Sequence, residues 1–509
     1  MLKSKVKPES KTGIYFGLFF MFLFLLVPLI ISIIKSIYYY QFDNDELYHS
    51  QVIYLINLGF KPYQSFALIF SNIFHLSLLP FFKSVGFTFE GMAKIRIVMG
   101  MLFAVRVAIL AVIFKKLFNL KTAVLFIFFY LFDPFTIFAS MQIRPDNLMI
   151  TIYSFGLLIF LLGLLKKSNW PFLISGIFFG ISALVLIKII PSLAILMIIF
   201  FIYSIKNRDF NKFYLVLTGL LLPFFTYFLF FLINGSFGLM FNQLFIVPLG
   251  YIDVIKNPVY YGFFHQANNG FIFGLMGQPL NWIYVWVLPL LASIGIYITF
   301  TKLFKKDINS LESKKNLVRI ILIITLIVQF VLVLNLKTAF IQYYIPLQYL
   351  TALFAAIAVN DLISNELFPK YLKKLATLLF LLFIISLTYS SIKANEARTV
   401  FKWQYQTPWY QGVWTKIPEN SAVFPNILFR PIGYPMTFGY DQLNANKEQF
   451  QGFSESFPSH VESFEKNKVP YLIIDDPNNF YALEPGLKEY VRAYYQQIDS
   501  KYNIFQRVK

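Results

Sequence analysis

The chain has 509 residues, of which 58% are hydrophobic, 20% aromatic and only 14% charged. A soluble protein of this length would divide into several domains and would carry far more charge, so the composition excludes an ordinary soluble enzyme. The net charge of +19 lies mainly in short loops between apolar runs, which argues against nucleic acid as a partner, and the absence of cysteine excludes disulfide and thiolate chemistry.

Long apolar runs follow one another through the first 391 residues. Runs of about 18 residues or more predict helices that cross a hydrocarbon core, so we predict an α-helical polytopic membrane protein with about eleven transmembrane helices. The first run is too long for a signal peptide and has no small-residue cleavage site, so we interpret it as an anchor. The predicted spans are residues 13–38, 94–114, 122–142, 147–165, 171–187, 189–205, 213–233, 281–301, 319–336, 340–360 and 375–391.

Lysine and arginine are concentrated in alternate loops between these spans. If the N-terminus is cytoplasmic, the basic stretches all lie on the cytoplasmic side, as the positive-inside rule requires. This topology predicts a multi-pass plasma-membrane protein with a first external loop at 39–93, a second long external loop at 234–280 and an extracytoplasmic tail at 392–509. The basic stretches contain Lys3, Lys5, Lys7 and Lys11; Lys115, Lys116 and Lys121; Lys166 and Lys167; Lys206, Arg208 and Lys212; the block from Lys302 to Arg319; and Lys370, Lys373 and Lys374.

The first external loop and the tail differ in character. In the loop, apolar residues alternate with Lys61, His75 and Lys83, a pattern typical of short amphipathic helices at the membrane interface. In the tail, "SAVFPNIL" and "VPYLIID" predict buried strands, and "LKEYVRAYYQQI" predicts a helix. We therefore predict two domains, a transmembrane module over 1–391 and a small extracytoplasmic α/β domain over 392–509.

Three carboxylates lie within "QFDNDELYHS", residues 41–50, directly after the first span. Asp43, Asp45 and Glu46 are typical of a polar helix start, where the helix dipole stabilises carboxylates. They also suit general-base chemistry, because a partly desolvated carboxylate can remove a hydroxyl proton while that oxygen attacks an electrophile. The segment alone does not decide between these two interpretations.

Basic residues at the predicted external ends of later spans complement this cluster. Arg144 and Asp146 share the short turn in "ASMQIRPDNLM", where they either tie two helix ends together or leave Arg144 to orient the acids or bind phosphate. Lys188 is embedded in "GIFFGISALVLIKIIPSLAIL", where it either snorkels to the interface or marks a substrate pathway. Lys337, in "NLKTAFIQYYIPLQYL", is likewise a lysine at the predicted external end of a span.

Aromatic residues and a histidine accompany these cations. Tyr343 and Tyr344 lie near Lys337 and suit either a ligand site or an ordinary interfacial belt. His265 lies with Asp253 in the second external loop, where a lone histidine is more often incidental than functional. Together, the acids, cations and tyrosines predict a site for a lipid phosphate, whereas motifs for nucleotide, dinucleotide and zinc-protease chemistry are missing.

In their order along the chain, these segments resemble the GT-C superfamily of polytopic glycosyltransferases, especially the branch of protein O-mannosyltransferases and aminoarabinose transferases. The resemblance covers the whole membrane part and implies a GT-C-like fold and a polyprenyl-phosphate sugar donor. Two positions depart from it: Ser65 stands where relatives often carry an aspartate, and His75 comes later than their histidine. The matching segments are "DELYHSQVIYLINLGFKPY" from Asp45, "RIVMGMLFAV" from Arg96, "IRPDNLM" from Ile143, "GIFFGISALVLIKIIP" from Gly176 and "QYYIPLQYLTALFAA" from Gln342.

The resemblance also implies roles for individual residues. Asp45 corresponds to the catalytic base and Glu46 to its neighbour. Arg144 corresponds to an arginine that steers the loop, while Lys188 and Lys337 are candidates for binding the donor phosphate. Further candidates are Tyr343, Tyr344 and His265 for the donor, and His49, Arg96 and Asp146 in supporting roles.

The predicted reaction moves a sugar from a polyprenyl phosphate to a lipid, glycan or protein acceptor by one inverting displacement. Preorganised cations would stabilise the departing phosphate. The acid cluster has ligands for Mg²⁺ or Mn²⁺, but the resemblance favours no metal and no other cofactor. Two alternatives stay open: a transporter or flippase of lipid-linked saccharides, which needs no external carboxylate, and a non-catalytic membrane scaffold that acts through its tail.

Overall fold

The computed structural model describes residues 11–66, 68–131, 133–166, 168–246, 279–303, 310–335, 341–364, 369–418, 421–425, 459–474, 476–482 and 484–509. Helices dominate the described chain, and a small sheet follows them in the tail. Ten of the eleven predicted spans coincide largely with one helix each, and the remaining span is divided between two helices.

The described helices occur in two runs, one on either side of residues 247–278. The first run is α1 (Lys11–Tyr39), α2 (Asn44–Asn57), α3 (Ile73–Val85), α4 (Phe89–Leu117), α5 (Leu120–Leu131), α6 (Pro134–Met141), α7 (Pro145–Leu165), α8 (Trp170–Val185), α9 (Ile190–Asn207), α10 (Phe210–Ile233) and α11 (Phe237–Phe241). The second run is α12 (Pro279–Leu303), α13 (Ser310–Asn335), α14 (Ile345–Ser364), α15 (Lys370–Arg398) and α16 (Trp403–Trp414). The 3₁₀ turns Ile187–Ile189 and Ile341–Tyr344 precede α9 and α14, and a π turn, Asn242–Ile246, follows α11.

Seven helices among the described residues are long and apolar enough to cross a membrane. They are α4, α7, α9 with its preceding 3₁₀ turn, α10, α13, α14 and α15, and their mean hydropathy lies between 1.4 and 2.9. Shorter apolar helices include α5, α8 and the described apolar parts of α1 and α12. The prediction of an α-helical polytopic membrane protein is confirmed.

The third predicted span is not one continuous helix. α5 ends before Asp133, and α6 begins at Pro134. Proline is favoured in a first helical turn because its missing N–H would have no intrahelical partner there. The carbonyl of Asp133 accepts from the Ile137 N–H (3.2 Å), and its carboxylate accepts from the Thr136 hydroxyl. Asp133 therefore starts a new helix inside an otherwise apolar run.

Glycine allows two helix pairs to approach one another closely. α8 packs on α10 at Gly176 and Gly219, where a Cβ on either glycine would lie 2.2 Å from a backbone oxygen of the other helix. α12 packs on α14 at Gly295, where a Cβ would lie 1.8 Å from the carbonyl oxygen of Phe354. Contacts of this kind let the backbones of membrane helices meet without intervening side chains.

The tail forms a small α/β unit around a four-stranded sheet of order β1-β2-β4-β3. The strands are β1 (Val423–Pro425), β2 (Tyr471–Ile473), β3 (Tyr495–Asp499) and β4 (Ile504–Arg507), and the helices are α17 (His460–Asn467), α18 (Pro477–Tyr481) and α19 (Leu487–Tyr494). β1 is parallel to β2, and the other two pairs are antiparallel. Phe424, Phe464 and Leu472 contribute to its apolar core.

Both predicted strands contain observed ones, but the predicted helix "LKEYVRAYYQQI" is wrong in its second part. α19 ends at Tyr494, and the chain continues as β3, in which Tyr495 is paired with Arg507. Pairing with β4 satisfies the backbone of these residues and overrides their helical periodicity, because strand formation depends on tertiary context.

Candidate active site

The acidic cluster begins helix α2. Asp43 is the N-cap: its Oδ1 accepts from the Glu46 N–H (2.8 Å), and its own N–H donates to Glu46 Oε2 (3.4 Å). This reciprocal arrangement is a capping box, which satisfies N–H groups that have no partner within the helix. The interpretation of the segment as a helix start is therefore correct for these two residues. Asp45, in the same first turn, takes no part in the capping.

Glu46 is fully buried against Arg96 of α4. Arg96 donates from Nε to Glu46 Oε1 (2.7 Å) and from Nη2 to Oε2, and the Ile143 N–H also donates to Oε1 (3.0 Å). The remaining Arg96 donors reach the carbonyl oxygens of Tyr40 (2.6 Å) and Gln41 (3.0 Å). A buried charge needs partners of this kind to replace water. The pair ties α2 to α4 and to the end of α1.

Arg144 joins the two other carboxylates. It is the N-cap of α7; its Nη2 donates to Asp43 Oδ2 (2.8 Å), and its Nη1 donates to Asp45 Oδ2. Gln142 Nε2 donates to the same Asp43 oxygen (2.8 Å). Burial alone would raise the pKa of Asp43, but the charge and hydrogen bonds of Arg144 outweigh burial and hold this pKa below its usual range. Asp45 keeps 57% of its side chain exposed, so a reactant can reach its carboxylate.

Lys188 lies in the 3₁₀ turn between α8 and α9. Pro191, in the first turn of α9, interrupts the helical run there because it lacks the N–H that a continuous helix would use. Lys188 Nζ donates to Asp146 Oδ1 (3.0 Å) and lies 3.9 Å from the ring centroid of Tyr343. Asp146 is buried, whereas 24% of the Lys188 side chain is exposed. The lysine therefore compensates a buried carboxylate and still has access to a ligand.

The acids bound to Arg144 and the Lys188–Asp146 pair lie next to each other, because Asp146 follows Arg144 by two residues. Although burial lowers the pKa of Arg144, the charges of Asp43, Asp45 and Asp146 raise it above its usual range. Asp146 therefore acts on Arg144 and is also bound to Lys188. Asp45 and Arg144 form one ion pair, Asp146 and Lys188 form another, and the charge of Asp146 reaches Arg144, so these four residues make up a charged series.

Two histidines pack beneath this site. His49 of α2 lies 3.0 Å, Nδ1 to Nε2, from His75 of α3, and both rings are buried. Burial, the other imidazole and the charges of Arg144 and Lys188 all lower the pKa of His49. Burial lowers the pKa of His75 to about 3. The predicted loop helices are present, but His75 lies in their packed interior and not on a polar face.

Most of the predicted site residues are described by the structure. Asp45, Arg144, Asp146, Lys188 and Tyr343 lie in the charged series, while Glu46, Arg96 and His49 are buried behind it. Tyr344 is half-buried next to Tyr343. Lys337, His265 and Asp253 lie outside the described residues. Within the described chain, no group of three or more His, Asp and Glu side chains could hold a metal ion.

Sequence reasoning missed two glutamines. Gln142 bonds to Asp43, and its position two residues before Arg144 on the same turn was a usable signal. Gln406 bonds to the backbone of Phe42, the residue before the acidic cluster, although the two are 364 positions apart in the chain. A single glutamine on an amphipathic helix carries no signal that could have revealed this contact.

Comparison with known proteins agrees with this architecture. The family model described as dolichyl-phosphate-mannose-protein mannosyltransferase matches residues 78–233, a range that contains Arg96, Arg144 and Lys188. The structure of ArnT from Cupriavidus metallidurans bound to undecaprenyl phosphate is similar at a TM-score of 0.60 and 13% identity, over 97% of this chain and 98% of that one. The chain has the GT-C fold.

A second GT-C structure has the same fold over a longer chain. The oligosaccharyltransferase AglB from Archaeoglobus fulgidus, in complex with an inhibitory peptide and a dolichol-phosphate, is similar at a TM-score of 0.52 and 13% identity. The match covers 96% of this chain and 75% of AglB. None of the curated proteins is significantly similar in sequence. The resemblance to GT-C proteins is therefore confirmed for the fold, which positions the acidic cluster at the junction of α1, α2, α4 and α7.

Proposed function

We propose that this protein is a membrane glycosyltransferase that moves a sugar from a polyprenyl-phosphate donor to an acceptor on the extracytoplasmic face. The GT-C fold supports the proposal, because the ArnT structure similar to this chain holds undecaprenyl phosphate and the AglB structure holds a dolichol-phosphate. The positive-inside pattern supports a cytoplasmic N-terminus and an external acidic cluster in the cell membrane. The tail from 392 onward would then be extracytoplasmic.

The observation that carries the proposal is the meeting of Asp45 with Arg144. A half-exposed carboxylate lies against an arginine, and that arginine belongs to the charged series that ends at Lys188. The Nε of Arg144 is buried and has no hydrogen-bond partner among the described residues. The site thus combines an accessible base, an unused guanidinium donor and a partly exposed ammonium group.

In the proposed reaction Asp45 is the general base. It takes the acceptor's proton while the acceptor oxygen attacks the anomeric carbon, and the bond between that carbon and the phosphate oxygen breaks in the same step. One displacement of this kind inverts the configuration at the sugar. Glu46 is too deeply buried and too fully bonded to Arg96 for the same role, so we assign it to holding α2 in position.

The departing polyprenyl phosphate gains negative charge and needs cations. Three carboxylates, those of Asp43, Asp45 and Asp146, face two cations, Arg144 and Lys188, before the donor binds. Lys188 has one carboxylate partner and a partly exposed side chain, so a phosphate can reach its ammonium group while Asp146 stays bound. Preorganised charge of this kind stabilises a transition state without reorganising solvent.

The arrangement supports transfer without a bound metal or another cofactor. Asp43 and Asp45 share Arg144, and Glu46 is paired with Arg96, so each acid of the cluster already has a cationic partner. The acceptor is a hydroxyl or amine of a lipid, glycan or protein, because a carboxylate base serves each of these nucleophiles.

The test is transfer of a radiolabelled sugar from a polyprenyl-phosphate donor in membranes. We expect Asp45→Asn to lower turnover by about 10²-fold to 10⁴-fold, the usual contribution of a general base, with donor binding nearly unchanged. Asp209→Asn is the matched control, since Asp209 lies in the loop between α9 and α10 and pairs with Lys212 of α10. Normal turnover in Asp45→Asn would remove the base assignment.

The same assay separates transfer from lipid transport. A flippase would move the intact donor across the bilayer and leave the sugar–phosphate bond unbroken, whereas a transferase releases free polyprenyl phosphate in proportion to glycosylated acceptor. Transport of intact donor without release of polyprenyl phosphate would replace the proposal by its alternative.

A further inference from the structure

The first residues of the tail dock on the chain just before the acidic cluster. The Gln41 N–H donates to the carbonyl oxygen of Phe401 (2.8 Å), and Tyr40 and Lys402 form an antiparallel β-bridge. The indole N–H of Trp403 donates to the carbonyl oxygen of Tyr38 (2.7 Å). The residues just after α1 and those just before α16 therefore pair as two short antiparallel segments.

Gln406 extends this contact by one residue, to Phe42. Its Oε1 accepts from the Phe42 N–H (2.9 Å), and its Nε2 donates to the Phe42 carbonyl oxygen (2.9 Å). Both polar groups of one residue's backbone are thus bound by a single side-chain amide. Only an amide of the right length offers a donor and an acceptor in this geometry, so alanine cannot replace it and asparagine is too short.

Phe42 connects the Gln406 side chain to the acidic cluster. It is only 2% exposed and its ring lies 4.1 Å from the guanidinium carbon of Arg96, which binds Glu46. Its carbonyl group forms the peptide bond to Asp43, the N-cap that shares Arg144 with Asp45. The orientation of the Phe42 backbone therefore determines how Asp43 and the following acids are placed relative to α1.

We infer that Gln406 is a positioning residue, through which the tail holds the acidic cluster in the geometry needed for transfer. The inference rests on the proposed function for its catalytic part. If Gln406 has this role, the junction between the membrane helices and the tail contributes to the geometry of the active site. Lys188 and Asp146 lie on other elements and share no hydrogen bond with Gln406 among the described residues.

Because Gln406 contacts the chain before the acids and is not bonded to the cationic part of the site, we expect its loss to change kcat and not donor affinity. Loss of the amide would let the Phe42 backbone and the following acids shift, and a shift of about 1 Å in a reacting group lowers turnover by as much as about 10²-fold. The cationic part of the site would keep its position, so donor affinity would stay the same. A purely structural role would instead weaken donor binding and turnover together.

The experiment compares full-length Gln406→Ala and Gln406→Asn with wild type and with Gln411→Ala. Gln411 is an exposed glutamine of the same helix, which makes it a matched control. We expect kcat to fall about 10-fold to 100-fold in both Gln406 variants. The KM for the donor and the Kd for undecaprenyl phosphate should stay within about 2-fold, and Gln411→Ala should behave as wild type.

Hydrogen exchange supplies a readout that does not depend on catalysis. The amide of Phe42 loses its acceptor in both Gln406 variants, so peptides covering 38–44 should exchange faster than in wild type and in Gln411→Ala. Unchanged exchange at Phe42, or equal losses of kcat and donor affinity, would overturn the positioning role. If wild type itself transfers no sugar, the proposed function fails, and hydrogen exchange still decides whether Gln406 holds the Phe42 backbone.

Discussion

Asp43, Asp45 and Glu46 are neighbours in sequence but lie in three different environments. Glu46 is enclosed by Arg96 and by backbone donors, Asp43 is used in capping and by Arg144, and Asp45 remains more than half exposed. Because a helix turns by about 100° per residue, adjacent positions of the first turn point to different surroundings. Three identical charges can therefore serve packing, capping and reactivity.

Lys188 gives the first prediction at the residue scale. Lys188→Gln keeps a donor for Asp146 but removes the positive charge, so we expect the Kd for undecaprenyl phosphate to rise roughly 10-fold to 100-fold, the value of a charge-assisted hydrogen bond. Binding measured on purified protein, at constant ionic strength, checks this. Lys94→Gln is the control because Lys94 is exposed and paired with Glu90 of its own helix. Equal affinity in Lys188→Gln and Lys94→Gln would contradict a phosphate contact.

The buried histidine pair predicts a loss of stability in acid. The pKa values of His49 and His75 are lowered in the folded state, mainly by burial, so protonation favours the unfolded state. This stability is complete above the ordinary pKa near 6.5 and is lost as pH falls toward the folded value, which is about 3 for His75. Both imidazoles act in the same direction, so the free energy of unfolding decreases as the pH falls below the ordinary pKa.

Unfolding followed between pH 7 and pH 4.5 tests this window. His75→Gln keeps a side chain that can hydrogen-bond to His49 but cannot become charged, so its midpoint should depend less on pH than that of wild type. A variant with the same pH dependence as wild type would show that other groups cause the acid sensitivity.

At the scale of elements, the Glu46–Arg96 pair fastens α2 to α4. Removing one partner of a buried ion pair leaves the other charge uncompensated, so Glu46→Leu and Arg96→Met should each destabilise the fold by roughly 3–5 kcal/mol. The double variant Glu46→Leu with Arg96→Met should lose much less than the sum of the single variants, because no buried charge is left. Apparent unfolding midpoints in detergent measure this, and additive losses would contradict the coupling.

The elements also show how far sequence reasoning reaches. Hydropathy located the spans because membrane helices satisfy their own backbone and must be apolar over a fixed length. It missed the interruption at Asp133, since two polar or helix-breaking residues do not change the average of a long apolar run. An aspartate followed directly by proline was the local signal for that interruption.

The residue types at the site were predictable, and orientation of the acids by Arg144 was one of the interpretations, but the partner of each individual acid was not predictable. Asp45, Arg144 and Lys188 stood out because charges are costly near lipid. That Arg144 binds two acids, and that Glu46 belongs to Arg96, follows from helix packing between residues about 50 to 100 positions apart. Long-range contacts made by uncharged side chains, as at Gln406, leave no trace in one sequence.

For the whole molecule, close helix contacts at glycine predict sensitivity to a single methyl group. Gly295→Ala would bring Cβ to 1.8 Å from the carbonyl oxygen of Phe354, so α12 and α14 must separate. We expect a loss of about 1–3 kcal/mol or more from overpacking, measured as a lower unfolding midpoint and a lower yield of folded protein. Gly238→Ala is the control, since its Cβ would meet no atom within 4 Å. Equal behaviour of the two variants would contradict the close contact.

The strand order of the tail has a consequence for biosynthesis. β4 is made last of the four strands yet lies between β2 and β3, so β3 has no strand partner, and β2 is paired on its β1 side alone, until residue 507 has been synthesised. By then every described membrane helix has left the ribosome. Newly made chains therefore pass through an interval in which the helical bundle exists and the complete sheet does not, and unpaired strand edges are exposed during that interval.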